Sequence, residues 1–167
     1  MADVEIRLAV EKDANAIAEI LSVALAEFRN DYTPEAYAIV TPLAEEIRGR
    51  FVEGPMWVAV RDGQLSGTVS AVREPEWLYI RSMAVVPDAQ GFGIGKRLMT
   101  AVEQYGIENG FDTLFLYTTG FSAGAIRLYE SLGFRKDRDT TAEEWYGTPG
   151  LSMLKKIGRN IENAFRS

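Results

Sequence analysis

The chain has 167 residues, 47% of them hydrophobic, with 18 basic and 24 acidic side chains and a formal net charge of −6. That size fits a single domain spanning residues 1–167 around one core, and the acidic balance argues against nucleic acid or anionic membrane as partners, since basic patches hold both. Cysteine and histidine are both absent, which excludes a disulfide framework, a Ser-His-Asp triad, a Cys-His pair and nearly every zinc site, so no metal is expected.

Met1 to Glu5 contains no basic region leading into an apolar stretch, and no apolar run approaches the ~20 residues that cross a bilayer, so a soluble cytoplasmic protein is expected. Val4 to Ala9 alternates apolar and polar residues and reads as a first strand. Asp13 is placed as an N-cap, with Ala16, Ile17, Ile20, Leu21, Ala24, Leu25 and Phe28 recurring at helical spacing up to Asn30-Asp31. Pro34 and Pro42 punctuate a second helical region ending near Phe51. Met56 to Arg61, the turn pair Asp62-Gly63, and Gln64 to Arg73 form a hairpin signal.

Trp77 to Val86 reads as a long strand that stops at Pro87-Asp88. Strict alternation puts Leu78, Ile80, Ser82, Ala84 and Val86 on one face, and Trp77, Tyr79, Arg81, Met83 and Val85 on the other. A glycine-rich loop leads into a helix with Ile94, Leu98, Val102 and Tyr105 on one stripe. Leu114 to Thr118 is a short strand, Ala123 to Leu132 a helix, and Leu151 to Lys155 a last strand. Helices interleaved with a strand-rich centre give an α/β (α+β) domain with a mixed sheet.

The loop Gln90-Gly91-Phe92-Gly93-Ile94-Gly95-Lys96 lies between strand and helix, where backbone N–H groups and a helix N-terminus converge on an anion such as a pyrophosphate; a tight turn with no ligand is the plain alternative. It is not a Walker A loop, because Gln90 stands where glycine is needed and Arg97 where Ser or Thr holds magnesium. Nor is it a dinucleotide fingerprint, whose third glycine is replaced by Lys96 in one register and Leu98 in the other.

Gln90-x-x-Gly93-x-Gly95 resembles the (Gln/Arg)-x-x-Gly-x-(Gly/Ala) signature of the GNAT (Gcn5-related) N-acetyltransferases. Arg81 to Pro87 resembles the strand before that loop, Lys96 to Met99 the start of its helix, and Ala125-Ile126-Arg127-Leu128-Tyr129-Glu130-Ser131-Leu132-Gly133-Phe134 the family's second hallmark helix. The likeness is strongest from Leu78 to Phe134. It implies the GNAT acyl-CoA N-acyltransferase fold, a mixed, mostly antiparallel sheet flanked by helices, and transfer of the acetyl group of acetyl-CoA to a primary amine.

On that resemblance, the amides of Gly91 to Lys96, with Gln90, Phe92, Gly93, Ile94 and Gly95, hold the pyrophosphate of coenzyme A. The pantetheine arm lies beside Met83, Ala84 and Val85 like an added strand, and an amide near Ala84 or Val85 faces the developing oxyanion. Ser122, where the family often has Asn, and Ala125 complete the cofactor-binding set. Tyr129 takes the position of the family's general acid. Tyr79 stands where many members carry a basic Glu and is a poor proton acceptor, so Glu76 is the candidate base, with Glu74 behind it. Without cysteine no cysteinyl acyl-enzyme can form, and direct transfer in a ternary complex is expected.

The acceptor is a small-molecule or peptide amine, with Phe28, Asp31, Tyr32, Tyr37, Trp145 and Tyr146 as candidates to line its groove, and with the acidic pair Glu143-Glu144 a candidate receptor for a cationic amine. Another acyl-CoA, or a non-catalytic acyl-CoA sensor, are the alternative readings. The basic segment from Lys155 to Ser167 reads either as a frayed tail or as a short helix that pairs two copies in a homodimer.

Overall fold

The computed structural model describes residues 3–158, so the tail from residue 159 onward, with its dimerisation reading, lies outside the described residues. The strands are β1 (Val4–Leu8), β2 (Met56–Arg61), β3 (Gln64–Arg73), β4 (Leu78–Val85), β5 (Thr113–Thr118), β6 (Arg135–Asp139) and β7 (Leu151–Lys156). The helices are α1 (Ala14–Leu25), α2 (Pro34–Val40), α3 (Ala44–Arg50), α4 (Ile94–Glu108) and α5 (Ala123–Ser131). One sheet runs β1-β2-β3-β4-β5-β7-β6, antiparallel throughout except where β4 lies parallel to β5.

Both faces of the sheet are covered, which a parallel junction at its centre requires. On one face α4 buries Ile94, Leu98, Met99 and Val102 against Trp57, Val69, Leu78, Ile80, Leu114, Leu116 and Met153. On the other, α1 buries Ala14, Ile17, Ile20 and Leu21 with Ile47 of α3 against Met56, Val58 and Ala84. Each of the larger side chains contributes about 1.5–3 kcal/mol through burial.

Three differences from the sequence reading have local causes. The second helical region is two helices, because Thr41-Pro42-Leu43 interrupts it, and Thr33 caps the first of them by accepting the Ala36 N–H at 3.3 Å. β6 was not expected, since Arg-Lys-Asp-Arg-Asp has no apolar residue to alternate; all five residues are exposed, and the strand closes the sheet's edge by pairing with β7.

The third difference shapes the site. The β3/β4 register slips between Thr68 and Ser70: Ser70 pairs with Arg81 but Thr68 pairs with Ala84, leaving an extra residue in β4. Ser82 has φ 58°, a left-handed conformation unusual for serine. The carbonyl of Arg81 receives the Ser70 hydroxyl at 3.1 Å. Strict alternation therefore fails at the bulge. Leu78 and Ile80 pack on the α4 side and Ala84 on the α1 side, while Met83 and Val85 pack with the α4 cluster.

The joint between β1 and α1 is fastened by Asp13, whose carboxylate accepts from Arg7 Nη1 at 2.8 Å, Arg7 Nη2 at 3.1 Å and the Val10 N–H at 2.8 Å. These contacts, led by the Arg7 hydrogen bonds, hold the carboxyl below its ordinary value of 3.8. A depressed carboxylate stabilises the fold above its unfolded-state pKa and loses that contribution as pH falls through the folded-state value. Asp13→Asn is expected to lower unfolding free energy by about 1–2 kcal/mol at pH 7. The gap to the wild type should close in acid, below about pH 4, in urea titrations run at several pH values.

Candidate active site

The β4/β5 junction is short. Only Leu78, Tyr79 and Ile80 pair with Leu114, Phe115 and Leu116; beyond them, among the described residues, Tyr117 and Thr118 of β5 pair with β7 alone. Past the junction, the edge of β4 that faced β5 and the opposing edge of β5 carry backbone groups with no ladder between them, and such groups need partners. A cavity of about 700 Å³ opens there, lined by Arg81 to Val85 on one side and Tyr117 to Thr119 on the other.

At one end the glycine loop closes the cavity. Gln90, Gly91, Gly93, Ile94, Gly95 and Lys96 all line it, as do Met83, Ala84 and Val85. Gly91 (φ 90°) and Gly93 (φ 74°) are left-handed, and nothing lies within 4 Å of where a Cβ would stand at either, so these glycines answer a backbone requirement and keep the cradle open. Gly93 is the N-cap of α4, and the first helical bond of that end runs from the Arg97 N–H to the Gly93 carbonyl at 3.0 Å. The N–H groups of Ile94, Gly95 and Lys96 thus precede the helical ladder. The first turn of α4 has no acidic residue and carries Lys96 and Arg97, the reverse of what the helix dipole favours unless an anion sits against it.

Phe92 departs from the expected set: its ring is 47% exposed, lies 4.0 Å from the Arg61 guanidinium and does not line the cavity. Ser122, Ala125 and Tyr129 of the α5 segment do line it. The Ser122 hydroxyl is spaced 2.8 Å from that of Thr119. Tyr129 is 6% exposed, and burial, with a smaller contribution from Tyr32, pushes its phenol well above the ordinary tyrosine range. It is therefore a neutral hydrogen-bond donor at all physiological pH values.

Glu76 is not brought to the site. It is exposed on the turn before β4 and does not line the cavity, because the strand begins at Leu78 and carries the chain away from that turn. Tyr79 does line it, and burial pushes that phenol up to about 12. Among the described residues the one carboxylate on the cavity wall is Glu27, next to the end of α1.

The opposite end of the cavity is aromatic. Phe28, Tyr32 and Trp145 line it, whereas Asp31, Tyr37 and Tyr146 do not. Tyr32 meets Phe121 edge-on at 4.9 Å, and Tyr117 meets Trp145 edge-on at 5.6 Å. The loop bearing Trp145 is tied to the start of α2, since Thr33 N–H donates to Thr148 Oγ1 at 2.9 Å and Thr33 Oγ1 to the Tyr146 carbonyl at 2.8 Å. Glu144 is not available to a cationic ligand. Both its oxygens accept from Arg138 at 2.7 Å and one also accepts the Thr141 N–H, which hold its carboxyl down to about 2.

Arg50 and Arg81, two residues that the sequence reading assigned no role, also reach this cavity. Arg50 looks no different from Arg48 in the sequence, although Arg48 is exposed and bonds Asn15. Arg81 did carry a signal, as a charge inside an otherwise apolar strand.

Comparison with known proteins agrees with this geometry. The family model described as Acetyltransferase (GNAT) family matches residues 17–134, and the chain belongs to that family. N-acetylaspartate synthetase of Danio rerio is 37% identical over 98 residues, 58% of this chain and 34% of that protein. N-acetyltransferase 8 of Rattus norvegicus is 36% identical over 86 residues, 48% of this chain and 39% of that protein. The matched segments thus span little more than a third of these curated relatives.

Solved structures share the fold. An acetyltransferase of the GNAT family from Staphylococcus aureus superposes with a TM-score of 0.75 at 19% identity, covering 93% of this chain and 99% of the other. A phosphinothricin acetyltransferase from Sinorhizobium meliloti, solved in complex with AcCoA, gives 0.73 at 23% identity, covering 93% and 89%.

Because Gly93 is left-handed with open space around it, Gly93→Ala is expected to lower unfolding free energy by about 1–2 kcal/mol through backbone strain alone. Gly120 has equally open surroundings and no left-handed φ, so Gly120→Ala should leave stability unchanged or raise it by under about 1 kcal/mol. Denaturant titration of the two variants checks the contrast.

Proposed function

We propose that the chain transfers the acetyl group of acetyl-CoA to a primary amine by direct attack within a ternary complex. The observation that carries this reading is the opening of the sheet at β4/β5 directly onto the N-terminus of α4, with Tyr129 on the same wall. The relatives' names and the coenzyme-bound neighbour support acetyl-CoA as the donor.

The residues fit such a group. The free N–H groups of Ile94, Gly95 and Lys96, the open glycine cradle and the Lys96 side chain on the cavity wall suit a diphosphate, while Arg97 is turned to the Val4 carbonyl. The unladdered edge at Met83 to Val85 suits an amide-bearing arm. When bound, acetyl-CoA supplies an activated acetyl group as a thioester. In the transfer a C–N bond forms, the C–S bond breaks, the amine gives up a proton and the departing sulfur takes one.

Backbone N–H groups on the opened edge of β4 would hold the thioester carbonyl oxygen as it gains charge. Tyr129 is the cavity-wall phenol that donates toward the departing sulfur; burial raises its pKa and so works against full proton transfer, which the negative charge developing on the sulfur has to overcome. Glu27, as the carboxylate of the cavity wall, replaces Glu76 as the group that takes the amine's proton, directly or through water. Holding both substrates in one cavity supplies the remaining advantage through proximity.

Steady-state rates with varied acetyl-CoA and amine should give intersecting lines, and a ping-pong pattern would overturn the ternary complex. Tyr129→Phe is expected to lower kcat by about 10²-fold or more while the KM for acetyl-CoA changes by less than about threefold. Glu76→Gln should leave kcat/KM within about twofold, as for an exposed surface change. Stabilisation by acetyl-CoA with no thiol release from any amine would favour the sensor reading.

A further inference from the structure

The charge of the cavity is opposite to that of the chain. The net charge is −6, yet among the described residues the charged side chains lining the cavity are Arg50, Arg81, Lys96, Arg127 and the single carboxylate Glu27. Lys96 and Arg127 belong to α4 and α5, at the end assigned above to the diphosphate. Arg50 and Arg81 stand on α3 and β4, on the acceptor side with Tyr79. Acetyl transfer to a simple amine gives Arg50 nothing to bind, and an ammonium approaching that end meets the charge of Arg50, bonded to the neutral Ser82, beside Arg81 paired with Glu53.

Neither guanidinium is fully used by the protein. Arg50 Nη1 donates to the neutral Ser82 Oγ at 3.0 Å, at the left-handed residue of the bulge. Arg81 Nη2 donates to Glu53 Oε1 at 2.6 Å, with the Arg81 side chain 23% exposed. The Arg81 Nε has no hydrogen-bond partner among the described residues but is fully buried, so the donors left to a ligand are the remaining Nη hydrogens of Arg50 and Arg81. A guanidinium has five N–H donors, and a carboxylate is the planar acceptor that pairs with two at once. Burial first, and then repulsion from Arg81, lower the pKa of Arg50, with Glu53 and Glu46 offsetting less. An anion seated against Arg50 offsets that burial and repulsion.

We infer that Arg50 and Arg81 receive a carboxylate of the acceptor, so the acceptor is a free amino acid or another amine with a carboxylate close to its nitrogen. This rests on the acetyl-transfer reading and specifies its second substrate. Ser82, fixed by the bulge, holds Arg50 beside the point where β4 leaves β5, so a carboxylate seated there directs its neighbouring amine into the opened sheet.

The test is calorimetric titration of the protein saturated with coenzyme A, which permits binding without turnover. L-alanine against L-alaninamide reads the α-carboxylate, L-aspartate against L-asparagine reads a side-chain carboxylate, and ethylamine lacks both. At least one carboxylate is expected to bind ten-fold or more tighter than its amide. Arg50→Gln should abolish that preference with coenzyme A affinity unchanged, and Arg50→Lys should keep part of it. Amides or ethylamine binding as well as the carboxylates, or no carboxylate binding at all, would overturn the inference. Competition by propionate against the amino acid gives the same reading on the wild type should Arg50→Gln fail to fold.

The two readings fail separately. Amino acids that bind but release no thiol from acetyl-CoA leave the carboxylate site standing and remove the transferase; thiol release with ethylamine as efficient as with amino acids does the reverse.

Discussion

Among the described residues the edge of β4 that faced β5 has no ladder beyond Ile80: β5 continues with β7, and Ser82 adds a left-handed step to β4. Backbone N–H and C=O groups left this way are costly when buried and must find partners. A peptide-like ligand arm laid along that edge would satisfy them as another strand does. The cavity, the exposed amides and the access of Tyr129 to the interior all depend on those two strands parting where they do. Packing on both faces fixes the split, since α4 holds Leu78 and Ile80 below it and α1 holds Ala84 beyond it.

That same bulge exchanges the faces of β4. A strand that kept its alternation would send Ala84 toward α4 and Met83 toward α1. The extra residue reverses this, placing Met83 and Val85 near Gly95, where a Cβ would come within 4 Å of each and within 2.9 Å of Leu128. The close approach of α4, β4 and α5 is thus joined to a single irregular residue. The Ser70 hydroxyl, buried and donating to the Arg81 carbonyl, supports it from β3.

Much of this was legible in the residues. Asp62-Gly63 announced a hairpin because both positions take positive φ, and both do. The glycine loop read as either an anion cradle or a bare tight turn, and the left-handed Gly91 and Gly93 stand inside it; the stripe on α4 was a direct reading of helical period. The features that escaped are those without a local signature. The bulge is set by pairing with β3, not by the composition of β4. β6 carries only charges and is a strand because β7 offers it an edge. The cavity role of Arg50 depends on where α3 docks, which the sequence around Arg48-Gly49-Arg50 does not encode. The carboxylate at Glu76 failed for a similar reason, since proximity along the chain said nothing about which side of the turn it would occupy.

A chain of net charge −6 whose cavity is walled, among the described residues, by four cations, one of them paired with Glu53, and one carboxylate presents a field of two ranges. At distance, an anionic ligand meets a repelling body; inside the mouth, the low-dielectric walls focus an attraction. Dissolved ions act on these unequally, because the Debye length, about 10 Å at 0.1 M salt, screens the far repulsion before the near attraction. Modest ionic strength therefore opens the approach while leaving the grip, and the encounter of an anion with this protein is fastest neither in pure water nor in brine.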